Sequence, residues 1–267
     1  YSRTSASSES PGSSPLEVGN PIVKLSSQRR TSYKLGGLIL RIVALETSLR
    51  QGSLATLVAT GGIVEVVGQT ELPPEGRSAQ TLLPALDELI KASSWRPHQI
   101  ELVAVTSGPG SFTGLRIGVT AAKSLAFAVG AKLVAVHTLA ALTAGVTEAP
   151  GRIWAILDAQ RQELFVSCTE RKSKVPSSLC PDTKIMAVEE WLTLLSPGDT
   201  VTGPPLAQLA MRLPAGVIAA AFELWQPQAV LVGRLGVATY ETGGIVDPLQ
   251  LVPNYFRKSA AEEKRKL

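Results

Sequence analysis

Several residue types that build common kinds of site are scarce in this sequence. Its 267 residues include two cysteines, Cys168 and Cys180, which are too few for a secreted disulfide framework and lack the CxxC spacing of a zinc or redox site. The two histidines, His98 and His137, do not form a His-x-x-x-His pair on one helix face, so a histidine-based metal centre is not predicted. These shortages favour a reducing, intracellular compartment and a chain that binds no metal.

Aromatic residues and long apolar runs are also scarce. Aromatic residues make up 5% of the chain. The net charge is +4, to which residues 1–36 and residues 257–267 each contribute +3, so the body between them carries −2. A domain that grips nucleic acid alone normally has a positive stripe or a stacking platform, so the body is not expected to bind RNA by itself. No apolar run reaches the roughly 18 to 20 residues that span a bilayer, so membrane insertion is not predicted.

Apolar residues are plentiful and make up 45% of the chain, enough to bury the core of one or two domains. Residues 1–37 are rich in serine, with glycine and proline, and show no regular period, which is typical of a disordered extension. Scattered arginines and few acids also suit a targeting peptide. A basic tail occupies residues 257–267, so the folded part is predicted to span residues 38–256.

Two half-units follow one another within this folded part. Three short strands are predicted near residues 39–45, 53–59 and 63–67. An amphipathic helix follows, with one apolar face made of Leu82, Leu83, Leu86, Leu89 and Ile90. A strand at 100–106 and a helix after Ser111 complete the order βββαβα. A further strand at 132–136 and a helix from Thr138 follow it in an N-terminal lobe, residues 38–150. A strand ending in Asp158 begins a smaller, degenerate C-terminal lobe, residues 151–256.

An unusual loop joins the strand at 100–106 to the helix that follows it. The run Ser107-Gly108-Pro109-Gly110-Ser111 combines glycines that allow a sharp turn with a serine suited to cap the helix. A helix start above a strand end is a common seat for a phosphate, and strand-end acids such as Glu46 and Asp158 suit a nucleotide cleft. The structural alternative is that both acids cap turns and pair with Arg50 or Arg161. The candidate nucleotide-binding residues are Glu46, Thr47, Ser48, Gly108, Gly110, Ser111 and Asp158.

Four short motifs together resemble the pattern of one protein family. Residues 107–118 match its signature loop, and residues 45–48 (Leu-Glu-Thr-Ser) stand where the family has an aspartate-threonine-serine strand end. Residues 157–163 (Leu-Asp-Ala-Gln-Arg-Gln-Glu) resemble its Asp-Ala-Arg-Arg-x-Glu segment, and residues 253–257 (Pro-Asn-Tyr-Phe-Arg) resemble its closing Pro-x-Tyr-Leu-Arg. Each motif is weak alone, but the four occur in the family's order, and the chain thus resembles the TsaB (YeaZ) family.

The resemblance implies an α/β fold of the actin-like (ASKHA, ribonuclease H-like) kind, built from two duplicated βββαβα lobes. It implies a non-catalytic scaffold subunit that dimerises with and activates TsaD, a catalytic paralogue, in making N6-threonylcarbamoyladenosine at position 37 of ANN-decoding tRNAs. A TsaE-type ATPase is a further expected partner, tRNA is expected to bind only through the complex, and a homodimer is the alternative assembly. No cofactor of the chain's own is expected, and ATP or ADP is placed at the partner interface. The expected location is cytoplasmic, with organelle targeting by residues 1–36 as the alternative.

Small residues recur at every fourth position of the helix after Ser111, at positions 114, 118, 122 and 126. Such a row allows close approach either by another helix or by the chain's own sheet, and the sequence does not separate the two. In the TsaB family the first-lobe helices form a bundle with those of TsaD. The candidate interface or core residues are Leu82, Leu86, Leu89, Gly114, Leu115, Gly118, Val119 and Ala122.

An enzyme of the same fold is the alternative class, either a nucleotide-binding phosphotransferase or a glycoprotease-like hydrolase. A hydrolase would use Ser111 as nucleophile, His137 as base and Asp158 as orienter. However, Ser111 does not lie in a G-x-S-x-G elbow and suits a helix cap. Glu46 is also longer than the aspartate of the family pattern, which disturbs strict ligand geometry. The chain is therefore expected to act as an accessory subunit and not as an enzyme.

Overall fold

The structure is a computed structural model that describes residues 39–73, 79–170 and 181–257. The predicted extension, residues 1–37, lies outside the described residues, and so does all of the basic tail except Arg257. Cys180 and the segment 74–78 before the first helix lie outside them as well. The described residues form two β-sheets with helices packed on them.

Strands and helices alternate through most of the described chain. The strands are β1 (Ile39–Glu46), β2 (Gly52–Thr60), β3 (Ile63–Leu72), β4 (Leu102–Gly108), β5 (Lys132–His137), β6 (Ile153–Asp158), β7 (Glu163–Thr169), β8 (Lys184–Ala187), β9 (Thr200–Thr202), β10 (Ile218–Ala219) and β11 (Ile245–Val246). The helices are α1 (Ala79–Ala92), α2 (Phe112–Val129), α3 (Thr138–Gly145), α4 (Val188–Leu194), α5 (Leu206–Leu209) and α6 (Ala229–Glu241). Short 3-10 turns occur at Pro97–Gln99, Ala210–Arg212 and Phe222–Leu224.

Six strands form the first sheet, in the order β11-β5-β4-β1-β2-β3. The meander β1-β2-β3 is antiparallel, whereas β4 lies parallel to both β1 and β5 because α1 and α2 carry the chain back across the sheet. Helices cover both faces, so β4 is buried along its whole length. The predicted order βββαβα is confirmed in this lobe.

Five strands form the second sheet, in the order β10-β9-β6-β7-β8. The antiparallel hairpin β6-β7 is its largest part, while β9 has three residues and β10 has two. Its core is a cluster around Trp154 and the fully buried Trp191. The second lobe is therefore smaller and degenerate, as the sequence predicts.

The last helix and strand return to the first lobe. Helix α6 packs against β1, β2, β4 and β5, and its row of buried residues joins the first-sheet core formed with Ala44, Leu57 and Ala104. A Cβ at Gly236 would lie 2.6 Å from the Cβ of Ala104, so the helix approaches the sheet very closely. Strand β11 then pairs antiparallel with β5. The prediction that residues 151–256 form one C-terminal lobe is corrected, because α6 covers the first-sheet face opposite α1 and α2.

Helix α2 packs against the first sheet through its small residues. By length and composition it resembles a membrane span, the one such helix among the described residues. It nevertheless buries a stripe that includes Gly114, Gly118, Ala122 and Ala126 and that meets β4. This stripe is the packing face of a helix laid on a sheet.

Candidate functional site

The end of β1 carries the first predicted site residue, Glu46. Its side chain is completely buried, and its Oε1 accepts hydrogen bonds from the backbone N–H of Ser48 (2.6 Å) and the Ser48 hydroxyl (2.5 Å). Burial disfavours the charged form more than these bonds favour it, and it raises the pKa of Glu46 to about 7. The carboxyl group therefore titrates near neutral pH inside the protein.

The glycine loop lies directly against the turn that follows β1. The Ser111 N–H donates to the Ser48 carbonyl (2.6 Å), and a Cβ on Gly110 would collide with that carbonyl. A Cβ on Gly118 would likewise collide with the Thr47 hydroxyl. Both glycines are needed because the turn and the loop touch, which leaves no gap for a phosphate between them.

The nucleotide cleft that the sequence predicts at this position stays a prediction, and the structure shows how its residues are packed in the chain alone. Glu46, Thr47 and Ser48 are each at most 3% exposed in this conformation. Gly108 is buried against the Asn254 backbone, and Ser111 is used as a helix cap, since its Oγ accepts from the Gly114 N–H (3.4 Å). The capping role predicted for Ser111 is confirmed.

The second predicted acid, Asp158, is exposed at the end of β6. Its two carboxylate oxygens accept hydrogen bonds from the backbone N–H and the side-chain amide of Gln160, at 2.7 and 2.9 Å. Asp158 thus stabilises the turn between β6 and β7. Glu46 is buried and Asp158 is exposed, and each is hydrogen-bonded within its own turn. The two carboxyl groups therefore do not form a paired site.

The triad that the alternative hydrolase would need, and that the sequence argues against, is not assembled. His137 caps α3 through Nδ1, which accepts from the Leu139 N–H (3.2 Å), and its Nε2 lies 3.1 Å from the Thr183 hydroxyl. Burial lowers the pKa of His137 to about 4, so the ring is neutral. Ser111 and Asp158 are held by their own turns, and this arrangement supplies no nucleophile–base pair.

All of the candidate interface residues lie inside this chain. They form the stripe where α1 and α2 meet the first sheet, and the leucines and Val119 are at most 4% exposed. The stripe consists of Leu82, Leu86, Leu89, Gly114, Leu115, Gly118, Val119 and Ala122. The choice left open between interface and core is therefore decided in favour of the core, because helical spacing identifies the face that meets the sheet.

The exposed sides of the same two helices each carry one large apolar residue. Leu83 on α1 is 50% exposed and Phe127 on α2 is 72% exposed. The sequence analysis placed Leu83 on the apolar face of α1, which is corrected here, and it did not single out Phe127. The two helices contact each other and pack on the same face of the sheet.

We call residues 251–257 the C-terminal strap. The sequence analysis did not predict that this segment contacts the glycine loop, the start of α2 and the turn between β6 and β7. The Asn254 N–H donates to the Ser107 carbonyl (2.7 Å), and the Tyr255 ring stacks on Phe112 with 4.5 Å between ring centroids. The guanidinium of Arg257 binds the Ala159 carbonyl and the Glu163 carboxylate. The motif at residues 253–257 therefore contacts the motifs at residues 107–118 and 157–163, although both lie far from it along the chain.

Two unequal lobes on two sheets, with a glycine loop and strand-end acids near their junction, define the chain as an actin-like α/β protein. A family model described as "TsaD: tRNA N6-adenosine threonylcarbamoyltransferase" matches residues 74–232, more than half of the chain. The solved structure of YeaZ from Pseudomonas aeruginosa superposes with a TM-score of 0.66 at 24% identity, covering 81% of this chain and 100% of that one. That likeness shows the shared fold.

Curated relatives narrow the class further. The tRNA threonylcarbamoyladenosine biosynthesis protein TsaB of Bacillus subtilis (strain 168) is 30% identical over 158 residues, which is 59% of this chain and 67% of the relative. The protein of the same name in Escherichia coli (strain K12) is 31% identical over 128 residues, which is 47% of this chain and 53% of the relative. The chain belongs to the TsaB (YeaZ) family of the glycoprotease-like superfamily. The matched stretch spans only about half the length of the Escherichia coli relative.

Proposed function

We propose that the chain is a non-catalytic accessory subunit of the assembly that makes tRNA N6-threonylcarbamoyladenosine, and that it dimerises with a TsaD-type transferase and activates it. Its relatives carry the name tRNA threonylcarbamoyladenosine biosynthesis protein TsaB, and the family model that it matches is that of the transferase itself. Two paralogues of one fold are suited to pair pseudo-symmetrically through equivalent elements. The accessory role also agrees with strand-end acids that are bound within their own turns.

The observation that carries this proposal is the division of α1 and α2 into a buried apolar side and an exposed, mostly polar side that carries one large apolar residue on each helix. The buried side packs on the first sheet, so it is not available to a partner. The exposed side presents Leu83 and Phe127 on neighbouring helices. Aromatic and aliphatic side chains at the centre of an interface supply most of its binding free energy. We therefore place the TsaD contact on this outer α1–α2 face.

The test is to mix the purified chain with the TsaD of the same organism and to measure the complex by size-exclusion chromatography with light scattering, followed by an affinity titration. Phe127→Asp is expected to weaken association more than about tenfold and to reduce the activation of transferase activity in parallel. Phe222→Asp is the matched control, because Phe222 is also 72% exposed but lies in the second lobe. The control should bind like the wild type.

Two outcomes would contradict the proposal. If the wild-type chain does not associate with TsaD, with or without ATP or ADP, the accessory role is wrong. If Phe127→Asp and Phe222→Asp weaken binding equally, the outer α1–α2 face is not the contact. Light scattering of the chain alone reports whether a homodimer competes for the same face.

We also propose which other components join the complex and where. A TsaE-type ATPase and tRNA join through the TsaD-containing complex, in the cytoplasm, and the chain needs no cofactor of its own. We propose that ATP or ADP binds at the partner interface, and the burial of Glu46, Thr47 and Ser48 in the chain alone supports this proposal. Repeating the chromatography with added nucleotide distinguishes binding by the chain alone from binding by the complex.

A further inference from the structure

The C-terminal strap begins firmly anchored on the first lobe. Leu251 is 6% exposed and belongs to the apolar core beneath α2. The Lys123 ammonium group on α2 donates to the Leu251 carbonyl (2.9 Å). The start of the strap is therefore part of the packing of the first lobe.

The middle of the strap lies on the glycine loop and on the first turn of α2. The Asn254 carbonyl lies against Gly108, where a Cβ would come within 2.5 Å of it. The Tyr255 ring stacks on Phe112, and its hydroxyl accepts a hydrogen bond from Nε of Arg116 (3.0 Å). These contacts tie the strap to the start of α2.

The end of the strap reaches the second lobe. The Phe256 ring makes edge contacts with His137 of the first lobe (5.5 Å) and with Phe165 of the second (6.2 Å). Arg257 donates from its two terminal nitrogens to the Ala159 carbonyl and to the Glu163 carboxylate. This ion pair is partly shielded, since the side chains of Arg257 and Glu163 are 24% and 34% exposed. Charge-assisted hydrogen bonds of this kind are stronger than neutral ones.

We propose that the strap is a latch between the lobes, with Arg257 as its positioning residue. The hydrogen bonds of Arg257 to the β6–β7 turn hold the second lobe against the glycine loop. The Tyr255–Arg116 hydrogen bond connects the same strap to the start of α2. The latch explains why three motifs far apart in the sequence meet in the fold. It concerns the chain alone and stands whether or not the chain binds TsaD.

The test is amide hydrogen exchange on the full chain carrying Arg257→Gln. Loss of the two charge-assisted bonds should raise exchange about tenfold in residues 158–163 and in the first turn of α2, while β2 and β3 keep their wild-type protection. Arg212→Gln is the matched control, because it breaks an exposed pair with Glu189 (2.6 Å) within the second lobe. The control should leave both segments unchanged.

Conservative variants separate the latch from a general loss of stability. Arg257→Lys keeps the charge but cannot hold both acceptors with the geometry of the guanidinium group, so its exchange in residues 158–163 should fall between the wild type and Arg257→Gln. Tyr255→Phe keeps the ring but loses the hydroxyl, so it should raise exchange in the first turn of α2 and less so in residues 158–163. Unchanged exchange in Arg257→Gln, or a uniform rise across both sheets, would overturn the latch.

Discussion

At the end of β1 a single carboxyl group makes stability depend on pH. The pKa of Glu46 is raised from the ordinary value of 4.5 to about 7 by burial. The native state therefore holds this proton more tightly than the unfolded chain does. The free energy of unfolding should therefore fall as pH rises from 4.5 to 7. Above pH 7 the decrease is complete and amounts to something on the order of 3 kcal/mol.

Glu46→Gln is expected to remove this contribution, because the amide oxygen still accepts from Ser48 but carries no titrating proton. Denaturant unfolding at pH 5, 6, 7 and 8 measures the difference. The variant should gain stability relative to the wild type as pH rises, with the largest gain at pH 8. Glu88→Gln, at an exposed position on α1, is the control and should keep the wild-type slope. Equal slopes in Glu46→Gln and the wild type would show that Glu46 does not titrate in this range.

Helix α2 depends on the absence of a side chain at residue 118. Gly118 is buried, and any Cβ there would collide with the Thr47 hydroxyl and press on the Thr47 Cβ, 3.1 Å away. Gly118→Val should therefore reduce the free energy of unfolding by about 1–3 kcal/mol or more, as overpacked core positions do. Ser124→Val introduces the same side chain at an exposed position of the same helix and should change stability by about 0.5 kcal/mol or less. Similar losses in both variants would contradict the close contact.

The elements of the first lobe were predictable because their patterns are long. Strands β1, β2 and β4 are near-continuous apolar runs, and α1 repeats its leucines at helical spacing. Helical spacing also identified the buried stripe of α1 and α2, but it did not show that the stripe packs on the first sheet. Leu82 and Gly118 could therefore be assigned either to the core or to an interface. Strands β9 and β10, with three and two residues, carry too little pattern to be predicted.

At the scale of the whole molecule, the contacts that unite the lobes join residues far apart in sequence. The motif at residues 253–257 could be recognised, but its contacts with Ser107, Phe112 and Glu163 could not, since no local period records a partner roughly a hundred residues away. The same reason hid the return of α6 to the first sheet. The tight packing of the glycine loop on the β1 turn was not predicted either, because the two segments lie about sixty residues apart in the sequence.

The chain passes between the lobes after α3, before α6 and again along the strap, so the lobes should unfold together. Gly236→Leu, in α6, should disturb the first sheet beside Ala104 and lower stability by about 1–3 kcal/mol or more. Trp154 and Trp191 lie in the core of the second lobe, whereas Trp95 packs against the core of the first. In a Trp95→Phe background the fluorescence therefore reports on the second lobe. If the lobes are one cooperative unit, the fluorescence midpoint should fall together with the midpoint from circular dichroism. Glu241→Leu places the same side chain at an exposed position of α6 as a control, and an unchanged fluorescence midpoint in Gly236→Leu would mean that the second lobe unfolds independently.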